Sequence, residues 1–319
     1  MNLTPNRMLV FMGVAIAAWF IAKNLQPPPP QPGEQGAIQI VGYGASAQQR
    51  TVSRQECLGQ KNKLWVVADG LPDCIAYETA ERQGEGTTAL LFFEGDVPES
   101  EREKFDKEGV TTYRRLAQEI ADRFKIPVFI IGRPGLMGSS GFHIPGGQRD
   151  EAVVMDAAVT ELKRVHSLRR IAVAGQSGGA RINAQLMALG RNDIVCAAMG
   201  SGYYGLPLLR GGGTVQTNIF GTTPKRYLVP MDHVAKIVPM RERRIFVIGD
   251  TRDVRTPFPQ QEAWAKAVAD AGHHSILVRS NGSGPEFHGL GRVAIEAGAR
   301  CAAGESDREI VDAAEKASR

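Results

Sequence analysis

Short apolar runs alternate with longer stretches in which apolar positions recur every three or four residues, from about residue 60 onwards. The runs are typical of buried strands, and the longer stretches are typical of helices with one buried face. This pattern predicts strands at 63–68, 74–79, 88–93, 127–131, 171–174, 194–199, 244–248 and 275–278. It predicts the main helices at 111–124, 150–166, 180–189, 260–271 and 291–302.

The order of these elements predicts an α/β fold. The first two strands are joined by Asp69-Gly70, a hairpin turn signal, and later strands alternate with helices. A mostly parallel central sheet with helices on both faces is therefore expected, preceded by an antiparallel strand pair. Two segments show little periodicity: a glycine-rich loop at 132–147, expected to line the pocket or to form a tight structural crossover, and 206–238, expected to form a loop or a cap over one end of the sheet.

The amino terminus carries an apolar run at 8–22, preceded by Arg7 and free of charge until Lys23. About 15 residues is short for a membrane span and within the range of a signal-peptide core. Residues 1–25 are therefore expected to be a signal peptide or a membrane anchor, with membrane contact through 8–22 in the second case. Export to the periplasm or the cell exterior is expected in either case.

The proline-rich segment 26–36 is expected to be a stiff linker, and residues 37–319 are expected to form the globular domain. The net charge of +4 includes no dense basic block, so no nucleic-acid partner is expected. The four cysteines have no C-x-x-C spacing, and we expect neither a metal nor a cofactor. Export favours a disulfide between Cys57 and Cys74, whereas Cys196 and Cys301 are expected to be buried thiols.

The stretch Gly175-Gln-Ser-Gly-Gly179 lies between a predicted strand and a predicted helix. This context is typical of a nucleophile elbow, in which a strained turn presents a serine above the sheet. The flanking glycines have a steric reason, because a β-carbon there would meet neighbouring backbone. Ser177 is therefore the candidate nucleophile, and the N–H of Gly178 at the helix start is a candidate oxyanion donor.

A serine hydroxyl needs a base and an acid that orients the base. Of six histidines, His288 follows the last predicted strand in a loop before the last main helix, which favours it as the base. Asp250 and Asp253 both follow the preceding strand. Asp253 is preferred because Pro257 indicates the turn into the next helix, and Asp250 is kept as the alternative.

The order Ser177, Asp253, His288, the elbow and the strand layout resemble the α/β-hydrolase superfamily over roughly residues 64–302. Its esterase and peptidase branches share this layout. The resemblance implies a second oxyanion donor after the third strand, where the N–H of Asp96 is the first candidate and that of Gly95 the second. Glu94 departs from the family's common histidine at this position.

These residues predict a serine hydrolase that cleaves a small ester or a peptide amide through an acyl-enzyme without a cofactor. The alternative is a catalytically silent scaffold of the same fold that acts as an exported binding protein. Three other serines in glycine-rich stretches are less suited to be the nucleophile, because none has glycine both two residues before it and two residues after it. They are Ser139, Ser140 and Ser201.

Overall fold

The computed structural model of the protein describes residues 52–80, 88–141, 143, 151–205 and 228–317. The predictions for the leader or anchor, the membrane contact at 8–22 and the linker lie outside these residues, as does most of the predicted cap. Within the described residues, no helix is both long and apolar enough to cross a membrane.

Eight strands form one sheet in the order β1-β2-β4-β3-β5-β6-β7-β8. The pair β1–β2 is antiparallel, β2 runs antiparallel to β4, and the other neighbours are parallel. The predicted parallel sheet with an initial antiparallel pair is thus confirmed. The strands are β1 (Lys63–Ala68), β2 (Leu71–Ala80), β3 (Ala89–Phe93), β4 (Val128–Ile131), β5 (Ile171–Gln176), β6 (Ile194–Gly200), β7 (Arg244–Gly249) and β8 (His274–Arg279).

The main helices lie within a few residues of the predicted bounds, with one exception. Helix α2 (Glu99–Phe124) begins twelve residues before the predicted start at 111. The first half of this helix carries few apolar residues: Phe105 packs against the core, while Glu103 and Lys107 pair one turn apart in solvent. The helices are α1 (Arg54–Leu58), α2 (Glu99–Phe124), α3 (Glu151–Val165), α4 (Gly178–Ala188), α5 (Phe258–Asp270), α6 (Gly291–Ala302) and α7 (Asp307–Lys316), with a 3₁₀ helix at Pro230–Lys236.

Two separate apolar cores lie on the two faces of the sheet. Leu91 and Phe93 of β3 belong to the core covered by α3, α4 and α5. Leu90 and Phe92 belong to the core covered by α2, α6 and α7. Alternate side chains of one strand are thus buried on opposite faces, which is why the central strands are continuously apolar in sequence. Helices on both faces were predicted, and the structure confirms them.

All four cysteines form disulfides. The predicted bridge between Cys57 and Cys74 is present and joins α1 to β2. Cys196 and Cys301 are also bridged, so the prediction of two buried thiols was wrong. The reason is tertiary: α6 packs on β6, and both residues lie in the same buried core although 105 residues separate them.

Candidate active site

Ser177 occupies a strained turn between β5 and α4. Its backbone angles are φ 51° and ψ −112°, a region that residues other than glycine rarely adopt. A β-carbon on Gly179 would lie 2.0 Å from the carbonyl oxygen of Phe93, and one on Gly175 would lie 2.4 Å from the carbonyl carbon of Gly179. The sequence therefore forms this turn because only glycine fits on both sides of the serine.

The backbone of Ser177 is fixed while its hydroxyl is not used to cap the helix. The N–H donates to the Gly200 carbonyl at 2.8 Å, and the carbonyl accepts the first helical bond from Arg181 at 3.1 Å. The side chain makes no capping hydrogen bond and is partly exposed. A strained, partly exposed serine whose hydroxyl is not used to cap the helix is the arrangement expected of a nucleophile.

His288 and Asp253 are brought together from two different loops. Nδ1 of His288 lies 2.8 Å from Oδ2 and 3.1 Å from Oδ1 of Asp253, and both residues are buried. Oδ1 also accepts the backbone N–H groups of Arg255 and Thr256, at 2.8 and 3.0 Å. Burial acts to raise the pKa of Asp253, but the hydrogen bonds from His288 and Thr256 outweigh it and hold the pKa below its ordinary value.

Asp250, the alternative acid, has different partners. Its carboxylate accepts the Arg252 side chain at 2.7 Å and the N–H groups of Arg252 and Gly282 at 2.8 and 2.7 Å. Arg252 lies over the Phe287 ring at 4.1 Å. Asp250 thus braces the loop that carries the histidine, while Asp253 contacts the imidazole itself.

Gln176, which directly precedes the serine, joins the elbow to the histidine loop. Its Nε2 donates to the His288 carbonyl at 2.8 Å, and its Oε1 accepts the Leu290 N–H at 3.0 Å. Sequence reasoning gave this residue no role, because the middle positions of the elbow motif accept many side chains. The two bonds place the backbone of His288 against the residue next to Ser177.

The loop after β3 lies directly beside the elbow. A β-carbon on Gly95 would be 3.3 Å from the Ser177 β-carbon. The Gly95 N–H, however, donates to Oε1 of Glu94 at 2.8 Å, and Oε2 of Glu94 accepts the Tyr113 hydroxyl at 2.5 Å. The amide proposed as the second oxyanion candidate is therefore already engaged, through the residue that departs from the family pattern.

The other backbone N–H groups near Ser177 differ in whether they donate to an acceptor. Gly178 is the first residue of α4, so its N–H has no acceptor within the helix. Burial and the nearby Arg133 lower the pKa of His143 to about 4, so its ring is neutral and accepts the Val97 N–H at 3.2 Å. The side chains of Glu94 and His143 thus hold the amides on both sides of Asp96.

A network of buried charges underlies this loop. Arg133 pairs with Asp96 at 2.8 Å and with Glu151 at 2.7 Å, and it donates to the Glu94 carbonyl at 3.1 Å. Arg181 of α4 pairs with the other oxygen of Glu151 at 2.7 Å. Burial would raise the pKa of Glu151, but the two guanidinium groups outweigh burial and hold that pKa low. Two cations and two anions therefore balance beneath the candidate oxyanion site.

The three other candidate serines are bonded or buried within the fold. Ser139 Oγ accepts the Ala76 N–H at 3.0 Å, and Ser140 Oγ accepts the Cys74 N–H at 2.7 Å, so both tie the glycine-rich loop to β2. The backbone N–H of Ser201 donates to the Ile248 carbonyl, and the residue is fully buried. Among the described residues, no group of three or more His, Cys, Asp or Glu side chains is placed to hold a metal ion.

Comparison with solved structures finds the same fold at low sequence identity. The uncomplexed acylaminoacyl peptidase of Pyrococcus horikoshii matches with a TM-score of 0.51 and 12% identity, over 78% of this chain and 42% of the peptidase. A Pyrococcus furiosus esterase matches with a TM-score of 0.50 and 14% identity, over 79% of this chain and 94% of the esterase.

This chain therefore spans about two fifths of the length of the peptidase and nearly the whole length of the esterase. No protein-family model matches the sequence, and no curated protein sequence matches it. These matches, together with the eight-stranded, mostly parallel sheet, show that the chain has the α/β-hydrolase fold.

Proposed function

We propose that the protein is a serine hydrolase that cleaves an ester or amide bond through an acyl-enzyme. The observation that carries this proposal is the buried His288–Asp253 pair, which Gln176 ties to the strained turn at Ser177. A histidine whose Nδ1–H is held by a carboxylate keeps its Nε2 as a proton acceptor. Such an imidazole is suited to activate a serine hydroxyl.

Each residue then has a defined role in the two-step reaction. Ser177 attacks the carbonyl carbon, His288 takes the hydroxyl proton and returns it to the leaving group, and Asp253 holds the imidazole. The N–H groups of Gly178 and Asp96 stabilise the oxyanion, and Gly95 is no longer assigned this role because Glu94 takes its amide. Water then attacks the carbonyl carbon of the acyl-enzyme. His288 takes the proton from this water and returns it to Ser177, which releases the acid.

A fluorophosphonate probe tests this proposal directly, because it phosphonylates an activated serine. We expect stoichiometric labelling, with the label mapped to Ser177 by mass spectrometry, and loss of labelling in Ser177→Ala. Ser140→Ala is the matched control, since the Ser140 hydroxyl is bonded to Cys74 and Asp73 of β2, and it should label like the unmodified protein. Labelling that survives Ser177→Ala unchanged would rule out the assignment.

Substrate assays separate the hydrolase from the silent scaffold. A panel of short-chain p-nitrophenyl esters and aminoacyl amides is expected to show turnover that disappears in His288→Ala. The relative rates on esters and amides then indicate which bond the enzyme prefers. Inert esters and inert amides, together with an unlabelled Ser177, would favour the exported binding protein instead.

We also propose that the protein works in an oxidising compartment, as expected for export. The support is that all four cysteines form disulfides, Cys57 with Cys74 and Cys196 with Cys301. Such bonds persist in the periplasm or outside the cell and are rare in the cytosol. Protein isolated without reductant should therefore resist thiol alkylation after denaturation and take up four alkyl groups after reduction. Four alkylated thiols without reduction would contradict export.

A further inference from the structure

Thr256 has no role in the triad as usually drawn, yet its hydroxyl lies against two triad members. Oγ1 is 2.8 Å from Oδ2 of Asp253, 3.0 Å from the Ser201 carbonyl oxygen and 3.4 Å from Nδ1 of His288. The residue is 5% exposed. Gln261 donates to its carbonyl at 2.9 Å, which fixes the residue at the end of the loop that leads into α5.

Counting protons indicates where the hydroxyl donates. An ionised carboxylate only accepts, so the proton between His288 and Asp253 belongs to Nδ1. The Thr256 hydroxyl has one proton, which can reach either Asp253 or the Ser201 carbonyl. A charged acceptor forms the stronger bond, and the shorter distance is also to Asp253. The hydroxyl therefore donates to the same carboxylate oxygen that holds the imidazole.

We infer that Thr256 is a positioning residue that shares the charge of Asp253 with His288, an inference that rests on the proposed function. Oδ2 receives two side-chain donors at the same distance of 2.8 Å. A carboxylate that also accepts from a hydroxyl attracts the imidazolium less strongly than one that does not. Thr256 thus holds the carboxylate in place and limits the affinity of the imidazole for a proton.

Gln176, which is uncharged, contacts the histidine loop from β5 through the His288 carbonyl. Among the described residues, the other charged side chains of the two loops that carry Asp253 and His288 form ion pairs, as does Arg292 at the start of α6. Their pairs are Asp250 with Arg252, Arg255 with Glu286, and Arg292 with Glu119 and Glu296.

The pH dependence of Ser177 labelling tests this inference. Thr256→Val keeps the shape of the side chain and removes the hydroxyl donor. In a plot of the second-order rate constant for fluorophosphonate labelling against pH, the midpoint of the acidic limb should therefore move to higher pH by about half to one unit. The rate should fall by roughly three- to tenfold below the midpoint and stay within about twofold above it. Thr256→Ser keeps the hydroxyl and should restore the original profile.

A purely structural role predicts a different result. Loosening of the loop would lower the rate at every pH without moving the limb, and Thr256→Val with an unmoved or downward-shifted limb would overturn the inference. Thr256→Ala serves as a second donor-free variant if the valine protein does not fold, with the same expected direction. Failure of the unmodified protein to label at Ser177 would overturn the proposed function as well, whereas normal labelling with an unmoved limb overturns the Thr256 role alone.

Discussion

Asp253→Asn is expected to lower kcat by about 10⁴ while changing KM by less than about threefold. An asparagine amide can present its N–H to Nδ1 of His288, and the ring proton then moves to Nε2. The nitrogen that should accept the Ser177 proton is thereby blocked, although the geometry is kept. Hydrolysis of short-chain p-nitrophenyl esters gives both constants, and circular dichroism checks the fold.

Asp250→Asn is the matched control, because it changes the same group on the same loop. The Asp250 carboxylate accepts hydrogen bonds from Arg252 and Gly282 and so holds the loop that carries His288. Its replacement should lower kcat by less than about tenfold, since the contact with the imidazole remains. Equal losses in the two variants would mean that Asp253 acts only by bracing its loop.

The pair of aspartates shows how far sequence reasoning reaches. Both follow β7 within four residues, so the strand pattern predicts the edge of the sheet where the two carboxylates lie but not which of them contacts the histidine. The choice depends on the local path of the loop, where Oδ1 of Asp253 accepts the amides of Arg255 and Thr256. Backbone bonds of this kind leave no periodic signal in the sequence.

Strands and the elbow could be predicted because their causes are local. Buried parallel strands need apolar side chains on both faces, and the turn at Ser177 needs glycine at 175 and 179. Contacts between distant segments could not be predicted in this way. The bridge from Cys196 to Cys301 and the bonds from Gln176 to the histidine loop both depend on how α6 and its loop pack on the sheet.

Glu94 shows how a single side chain changes the assignment of its neighbour. The resemblance to the α/β-hydrolases implies a donor loop at 94–96 with two candidate amides, but only the structure places the Glu94 carboxylate on the Gly95 N–H. The Tyr113 hydroxyl donates to the same carboxylate, and burial with the adjacent negative charge raises the pKa of Tyr113. The phenol thus stays protonated and fixes Glu94 in this position.

Arg133→Met is expected to lower the free energy of unfolding by about 3 to 5 kcal/mol. The guanidinium is 1% exposed and pairs with both Asp96 and Glu151, so its removal leaves the buried Glu151 and the partly buried Asp96 with only Arg181 beside them. Urea denaturation with the disulfides intact measures the change. Arg170→Met breaks an ion pair with Glu242 that is more than half exposed and should cost less than about 1 kcal/mol.

A double variant distinguishes lost charge balance from lost packing. Glu151→Gln added to Arg133→Met removes one cation and one anion together, so the remaining pair of Asp96 and Arg181 stays neutral overall. The double variant should be more stable than the sum of the single changes by about 0.5 to 3 kcal/mol. Strict additivity would show that Arg133 stabilises the fold through its packing and not through its charge. A double variant that is more stable than the sum of the single changes would instead mean that the balance of charge among Arg133, Arg181, Glu151 and Asp96 stabilises the fold.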